Sequence, residues 1–332
     1  MSLISSASRE AKLLSERLLE ASAKRTGIGA DTTAFRVVNG ASDGLEGLTI
    51  DAFEDVLVTS LYLDLSEPQE HALLEVIGAA LEPRSIYLKR RPREARVTAT
   101  TERATLAPDA PAWGQRVDKL TALENGVRYL IQPGGDLSVG LFLDMRDTRH
   151  WLRYNNSNRT VLNCFAYTCG FGVTATLAGS DRAVNLDLSK RVLEWGADNY
   201  RQNKLVPKQF DFISGDVFDW VTRLKRRGDT FGTLILDPPS FATSKFAKFS
   251  AVSNYDELIE NAISLLEPDG LLIACCNHHK LERRFFMAAI KRGLERAGRG
   301  YNLIASLGQS SIDFPVPDAI EPPLKVFALE IA

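Results

Sequence analysis

Hydrophobic positions recur along this chain with two different rhythms. Between residues 8 and 24 they fall at Ala11, Leu14, Leu18 and Leu19, the spacing of an amphipathic helix. Asp43-Gly44 and Glu46-Gly47 mark tight turns, after which Leu48-Thr-Ile50 and Val56-Leu-Val-Thr-Ser-Leu-Tyr62 read as paired strands. A helix over 67–81 and a strand at Ile86-Tyr-Leu88 complete a small α+β unit. Ala107-Pro-Asp-Ala-Pro-Ala-Trp113, whose two prolines discourage regular structure, is the most linker-like stretch and sets a boundary near residue 115. The expectation is a domain over 1–115 and a second over 116–332.

From Arg159 onward short Val/Ile/Leu runs alternate with helical stretches. The strands are Val161-Leu162, Ala183-Val-Asn-Leu186, Phe210-Asp-Phe-Ile213, Leu234-Ile-Leu236 and Leu271-Leu-Ile-Ala274, and Ser189 can cap a helix carrying Val192, Trp195, Gly196 and Tyr200 on one face. That alternation implies right-handed βαβ crossovers, hence a doubly wound, mostly parallel α/β sheet beside the smaller N-terminal α+β domain.

Composition narrows the class. The 332 residues, 45% hydrophobic and 25% charged, suffice for two globular cores. No apolar run is long enough to span a bilayer and the start lacks a signal-peptide pattern, so a cytoplasmic protein without membrane contact is expected. Cys164, Cys169, Cys275 and Cys276 lack the spacing of a zinc site or a disulfide framework. A formal net charge of -2 leaves nucleic-acid contact to local basic patches. The densest is Lys89-Arg-Arg-Pro-Arg-Glu-Ala-Arg96, led by Lys89, Arg90 and Arg91; Lys225-Arg-Arg227 and Arg283-Arg284 are shorter, and each reads equally as a solvated face.

The chemistry sits where strands end. Thr160-Val-Leu-Asn163 runs into Thr168-Cys-Gly-Phe171, and Leu234-Ile-Leu236 into Asp237-Pro-Pro-Ser-Phe241. Open α/β sheets bind ligands at such carboxyl ends, so the first reads as a cofactor loop and the second as a substrate-facing one. A dehydrogenase would need Gly-x-Gly-x-x-Gly, and Ala166-Tyr-Thr-Cys-Gly170-Phe-Gly172 does not supply it. The loop favours a cofactor without a pyrophosphate, of which S-adenosylmethionine is the common one. Asp187 is placed to accept hydrogen bonds from ribose hydroxyls, and Asp216 or its neighbouring amide to read an adenine edge; either could instead cap the helix that follows.

With these elements in this order, the chain resembles the class I S-adenosylmethionine-dependent methyltransferases related to the bacterial large-subunit ribosomal RNA cytosine-5 methyltransferases. The resemblance rests on Gly44-Leu-Glu-Gly-Leu-Thr-Ile-Asp51, Gly140-Leu-Phe-Leu-Asp-Met-Arg146, Tyr167-Thr-Cys-Gly-Phe171, Asp187, Asp216, Asp237-Pro-Pro-Ser-Phe241 and Cys275-Cys-Asn-His-His279. It implies a Rossmann-like class I methyltransferase domain in which Phe142, Asp144 and Arg146 close over the methionine end of the cofactor. The cofactor set then comprises those three with Asn163, Phe165, Tyr167, Thr168, Gly170, Asp187, Leu188, Asp216, Val217, Asp237 and Pro238. Pro239, Ser240, Phe241 and the Lys89–Arg91 patch are expected to meet the substrate, an RNA of ribosomal origin, with Phe241 stacking on a flipped base. Two departures stand out: the first strand usually ends in an acidic residue where this chain has Asn163, and Cys169 replaces a usual glycine, which is expected to narrow the loop.

Carbon 5 of cytosine is a poor nucleophile, so its methylation begins with a thiolate adding to carbon 6. The resemblance places that thiol at Cys276; His278, His279 or Lys280 is the candidate positive neighbour or proton shuttle, and Asp237 the candidate for positioning the base or assisting proton transfer. Because side chains alternate along a strand, Cys275 and Cys276 face opposite ways. Two other readings use the same residues: methylation of a guanine or adenine nitrogen polarised by the Asp-Pro-Pro loop, with Cys276 a bystander, and a catalytically idle RNA-binding factor. The resemblance also implies a homodimer.

Overall fold

In the computed structural model of the chain, residues 8–92, 100–156, 159–239, 241–243, 248–250, 253–317 and 320–332 are described. They form two compact units, Met1–Leu143 with Ser310–Pro317, and Asp144–Gln309 with Asp318–Ala332.

The first unit opens with helix α1 (Ser8–Ala23), which buries Leu14, Leu18 and Ala21; Leu19, expected on the same face, is 51% exposed because the buried stripe runs through positions 14, 18 and 21. Strands β1 (Ala34–Asn39), β2 (Leu48–Phe53) and β3 (Val56–Leu61) form an antiparallel meander. Gly44 and Gly47, at φ 72° and 79°, make the left-handed turns before β2. Helix α2 (Glu67–Leu81) crosses over to β4 (Ser85–Arg90), which therefore pairs parallel with β3. A short helix α3 (Arg103–Leu106), β5 (Trp113–Gly114) and the hairpin β6 (Leu120–Glu124) and β7 (Val127–Ile131) follow.

The structure divides the chain later than residue 115, because the β6–β7 hairpin is tied to the first unit. Thr33 donates its amide to the Leu123 carbonyl (2.8 Å), and Asn125 donates to the Thr32 hydroxyl (2.9 Å).

The second unit runs α4 (Arg146–Asn155), β8 (Thr160–Cys164), α5 (Gly170–Leu177), β9 (Arg182–Asp187), α6 (Lys190–Gln202), β10 (Phe212–Ser214), α7 (Val217–Arg227), β11 (Phe231–Leu236), the ribbon β12 (Phe241–Thr243) and β13 (Lys248–Ser250), α8 (Tyr255–Ala262), β14 (Leu266–Asn277), α9 (Arg283–Arg296), β15 (Tyr301–Leu307) and β16 (Leu324–Ile331). Its seven strands lie in the order β10-β9-β8-β11-β14-β16-β15, parallel as far as β14 and antiparallel across β16. Alternation along the strands sends Leu162, Leu234, Leu272 and Cys276 to the face covered by α7–α9, and Val161, Ile235, Ile273 and Cys275 to the face covered by α4 and α5. The strand order reverses between β8 and β11, so the crevice at their carboxyl ends is the switch point where such sheets bind ligands.

Candidate active site

The turn after β8 is held in an uncommon backbone form: Phe165, Tyr167 and Cys169 all have left-handed φ, 58°, 48° and 61°. Three such non-glycine residues so close together persist only when their surroundings fix them. Asp187 does part of this, accepting the Tyr167 amide at one oxygen and the Ser189 amide at the other, both at 2.9 Å. Asn199 donates to the Thr168 carbonyl from α6 (2.9 Å). A carboxylate has about four acceptor sites, so Asp187 shapes the loop, starts α6 and retains capacity for ribose hydroxyls.

Cys169 does not narrow this loop. It is buried, and its Sγ fills the space beside Gly196, where a Cβ would come within 2.3 Å of it. The left-handed φ explains why glycine would suit this position, and the missing side chain on α6 explains how cysteine fits.

Asn163 is also buried. Its Nδ2 donates to Asn185 Oδ1 (3.0 Å), and Asn185 in turn donates to the Tyr200 hydroxyl (3.1 Å). This ladder commits the amide donor, while Asn163 Oδ1 has no partner among the described residues. Asp216 caps α7, accepting from Phe218 (2.9 Å) and Asp219 (3.3 Å), which leaves the main-chain amide beside buried Val217 as the group suited to an adenine edge. Leu188, 64% exposed, follows Asp187 at the rim, apolar surface suited to an aromatic base.

The end of β11 supplies the second half. The Tyr255 hydroxyl, fully buried, donates to the Leu236 carbonyl (3.0 Å) and fixes the strand just before Asp237-Pro238-Pro239. Burial, and then the Asp144 charge, push the Asp237 carboxyl up to about 7, against the pull of Arg149. Asp144 accepts from Asn277 Nδ2 at 2.7 Å, which joins the segment before α4 to the end of β14. Arg146 and Arg149 are buried on α4, the latter 5.9 Å from the centre of the Phe171 ring. Two carboxylates with two guanidinium groups fit a zwitterionic amino acid moiety. Phe142 belongs to the first unit and is 50% exposed. Ser240 and the Phe241 side chain lie outside the described residues.

Cys276 lies near the end of β14, fully buried, with Cys275 on the opposite face. Burial pushes its thiol up to about 11, and the Asp237 charge adds to this while Lys325 opposes it. Sequence reasoning looked for the cation among His278, His279 and Lys280; the cation acting on the thiol is instead Lys325, on β16 opposite Cys276. The His278 ring is held below its usual range by burial and by the neighbouring His279. Lys325, Tyr255, Arg149 and Asn277 were all missed; a lysine inside the apolar run Leu324–Ile331 was the one available signal.

Of the Lys89 patch, Lys89 itself is withdrawn from solvent, while Arg90 and Arg91 are half-buried. Lys89 is fully buried and donates to the Pro133 carbonyl (2.5 Å), Arg90 is paired with Glu70, and Arg91 donates to the Leu137 carbonyl (2.8 Å). Residues 93–96 lie outside the described residues.

The chain is similar to known proteins over most of its length. A family model described as S-adenosylmethionine-dependent methyltransferase matches residues 35–298. A ribosomal RNA large subunit methyltransferase I of Aeromonas salmonicida is 31% identical over 89% of this chain and 72% of its own length. The protein of the same name from Cronobacter sakazakii is also 31% identical, over 89% and 72%. Among solved structures, a methyltransferase complexed with SAH superposes with a TM-score of 0.87 at 27% identity, covering 96% of this chain and 81% of the other. A SAM-dependent methyltransferase from Streptococcus mutans gives 0.85 at 26%, with the same coverage.

Proposed function

The chain belongs to the S-adenosylmethionine-dependent methyltransferase family, and from that premise we propose that it methylates carbon 5 of a cytosine in ribosomal RNA through a Cys276 adduct. The observation that carries this reading is the placement of Cys276 near the end of β14, beside β11, where the charge of Asp237 acts on its thiol. Asp187, the Phe165–Gly170 loop, Leu188 and the amide at Val217 hold the ribose and adenine, while Asp144, Arg146 and Arg149 meet the methionine end. The bound cofactor supplies an electrophilic methyl group. Cys276, once ionised, adds to carbon 6 and makes carbon 5 nucleophilic enough to take up the methyl group; Asp237 then accepts the carbon 5 proton, and the sulfur leaves as the ring double bond re-forms. The ribosomal substrate is taken from the names of the relatives.

One observation favours methylation of a base nitrogen instead: Cys276 is buried and protonated at neutral pH, whereas Asp237 titrates near it. Transfer of tritiated methyl to ribosomal RNA, naked and in subunits, by the wild type and Cys276→Ala, followed by nucleoside analysis, separates the two. Label in 5-methylcytidine that vanishes with the thiol supports the adduct. Label in guanine or adenine, with activity retained in the variant, overturns it.

A further inference from the structure

Lys325 is buried at 1% exposure in a strand whose neighbours Leu324, Val326, Phe327, Ala328 and Leu329 are all core residues. A lysine is rarely placed there without a partner, since its charge loses hydration and an apolar residue would cost less. Among the described residues it has no ion pair. Its ammonium donates to the His278 carbonyl (2.9 Å) and the Pro323 carbonyl (3.1 Å), two of its three donors. The antiparallel register of β14 and β16 sets Cys276 directly opposite Lys325. Residues so paired project from the same face of the sheet with Cβ atoms about 5 Å apart, which brings the lysine stem alongside the thiol.

We infer that Lys325 is the positioning residue that sets the charge state of Cys276, its third N–H turned to the sulfur as the thiolate forms. The inference rests on the reading of Cys276 as nucleophile. The proton leaves the thiol for solvent before the base binds, so that sulfur takes its negative charge beside the Lys325 ammonium.

The other groups around the pair do not supply this function. Asp237 and Tyr255 lie on the Cys276 side, the first opposing ionisation by its charge and the second a buried phenol held well above its usual range. His278 contributes its main chain to both partners, and its ring is weakly basic. Around Lys325, Glu321 favours the ammonium and Arg283 opposes it. Lys325 is thus the cation that acts directly on the sulfur.

A purely structural lysine, tying two carbonyls together, would leave the thiol's titration alone, and this distinguishes the roles. The test measures alkylation of Cys276 by iodoacetamide against pH, read residue by residue by mass spectrometry on the whole protein, in wild type, Lys325→Gln and Lys325→Arg, with Cys275 as internal reference. Glutamine keeps an amide donor for the carbonyls and removes the charge; arginine keeps the charge. The expected result is a titration midpoint at least one unit higher in Lys325→Gln, seen as about tenfold slower alkylation of Cys276 at pH 8, with Cys275 unchanged and the wild-type midpoint kept in Lys325→Arg. The alkaline shift should recur in the pH profile of methyl transfer to ribosomal RNA. An unshifted midpoint in Lys325→Gln overturns the inference. Full methyl transfer by Cys276→Ala overturns the nucleophile reading beneath it, while a dead Cys276→Ala beside an unshifted Lys325→Gln overturns the lysine's role alone.

Discussion

Replacing Asp237 by asparagine should stabilise the protein at alkaline pH while abolishing most of its activity. The carboxyl is pushed from 3.8 to about 7, first by burial and then by Asp144. A folded carboxyl with a raised pKa binds more protons than the unfolded chain between those values, so stability falls as pH rises through the window, and the full cost is present above pH 7. About three units at roughly 1.4 kcal/mol each give ~4 kcal/mol. More than one unit of the shift is already lost below pH 5, which leaves roughly 2–3 kcal/mol between pH 5 and pH 8. Asparagine keeps the shape and cannot ionise. Urea unfolding at pH 5, 6, 7 and 8 should show wild type losing that much stability relative to Asp237→Asn, with Asp144→Asn narrowing the gap. Curves that stay parallel across this range would refute the argument that desolvation governs Asp237. Methyl transfer needs the carboxylate only after the adduct has formed, so Asp237→Asn should remain near background from pH 5 to pH 8.

The packing around the cofactor loop is tested by Gly196→Ala, whose new Cβ would sit 2.3 Å from Cys169 Sγ; a loss of about 1–3 kcal/mol in urea is expected, partly recovered in Gly196→Ala with Cys169→Ala. Asp187→Asn retains the carbonyl oxygen and loses the charge, so the affinity for S-adenosylmethionine, read by calorimetry, should fall about tenfold; an unchanged value would remove the ribose from Asp187. In the first unit, burial and then Arg91 lower the Lys89 ammonium from 10.5 to about 8. The unfolded chain therefore holds the extra proton between those values, and stability relative to Lys89→Met should rise by up to ~3 kcal/mol from pH 8 to pH 10.5, as measured by urea unfolding.

The fold was legible where local pattern and topology agree. Alternating apolar strands and helices from Arg159 onward specify a parallel sheet, and the glycines at 44 and 47 specify the turns of the first unit. The boundary was misread because Ala107–Trp113 looks like a linker, although the β6–β7 hairpin beyond it returns to hydrogen-bond with Thr32 and Thr33. Non-local pairing of that kind leaves no mark on a local pattern. The Lys89 patch was misread for a related reason: lysine is read as solvated, and its burial depends on a carbonyl 44 residues away. Strand-end residues carry motifs of their own, and the groups packed against them do not. Lys325 is an instance, since its partnership with Cys276 exists only through the register of two strands far apart in sequence.

That register also bears on how one crevice serves two opposed proton demands. On the covalent reading, Cys276 must lose a proton early and Asp237 must gain one late. Each charge disfavours the other, because the Asp237 carboxylate raises the thiol. With Asp237 near 7, the crevice at neutral pH holds it protonated in about half the molecules, and in those the thiol ionises more readily beside Lys325. Once the sulfur has bonded to carbon 6 it carries no charge, so the obstacle to ionising Asp237 is removed at the stage when a carboxylate is needed to accept the carbon 5 proton. A carboxyl at its ordinary value would be ionised from the outset and would oppose thiolate formation; one held much higher could not serve as the base. The burial that makes Asp237 costly to fold thus places its titration where both steps can use it.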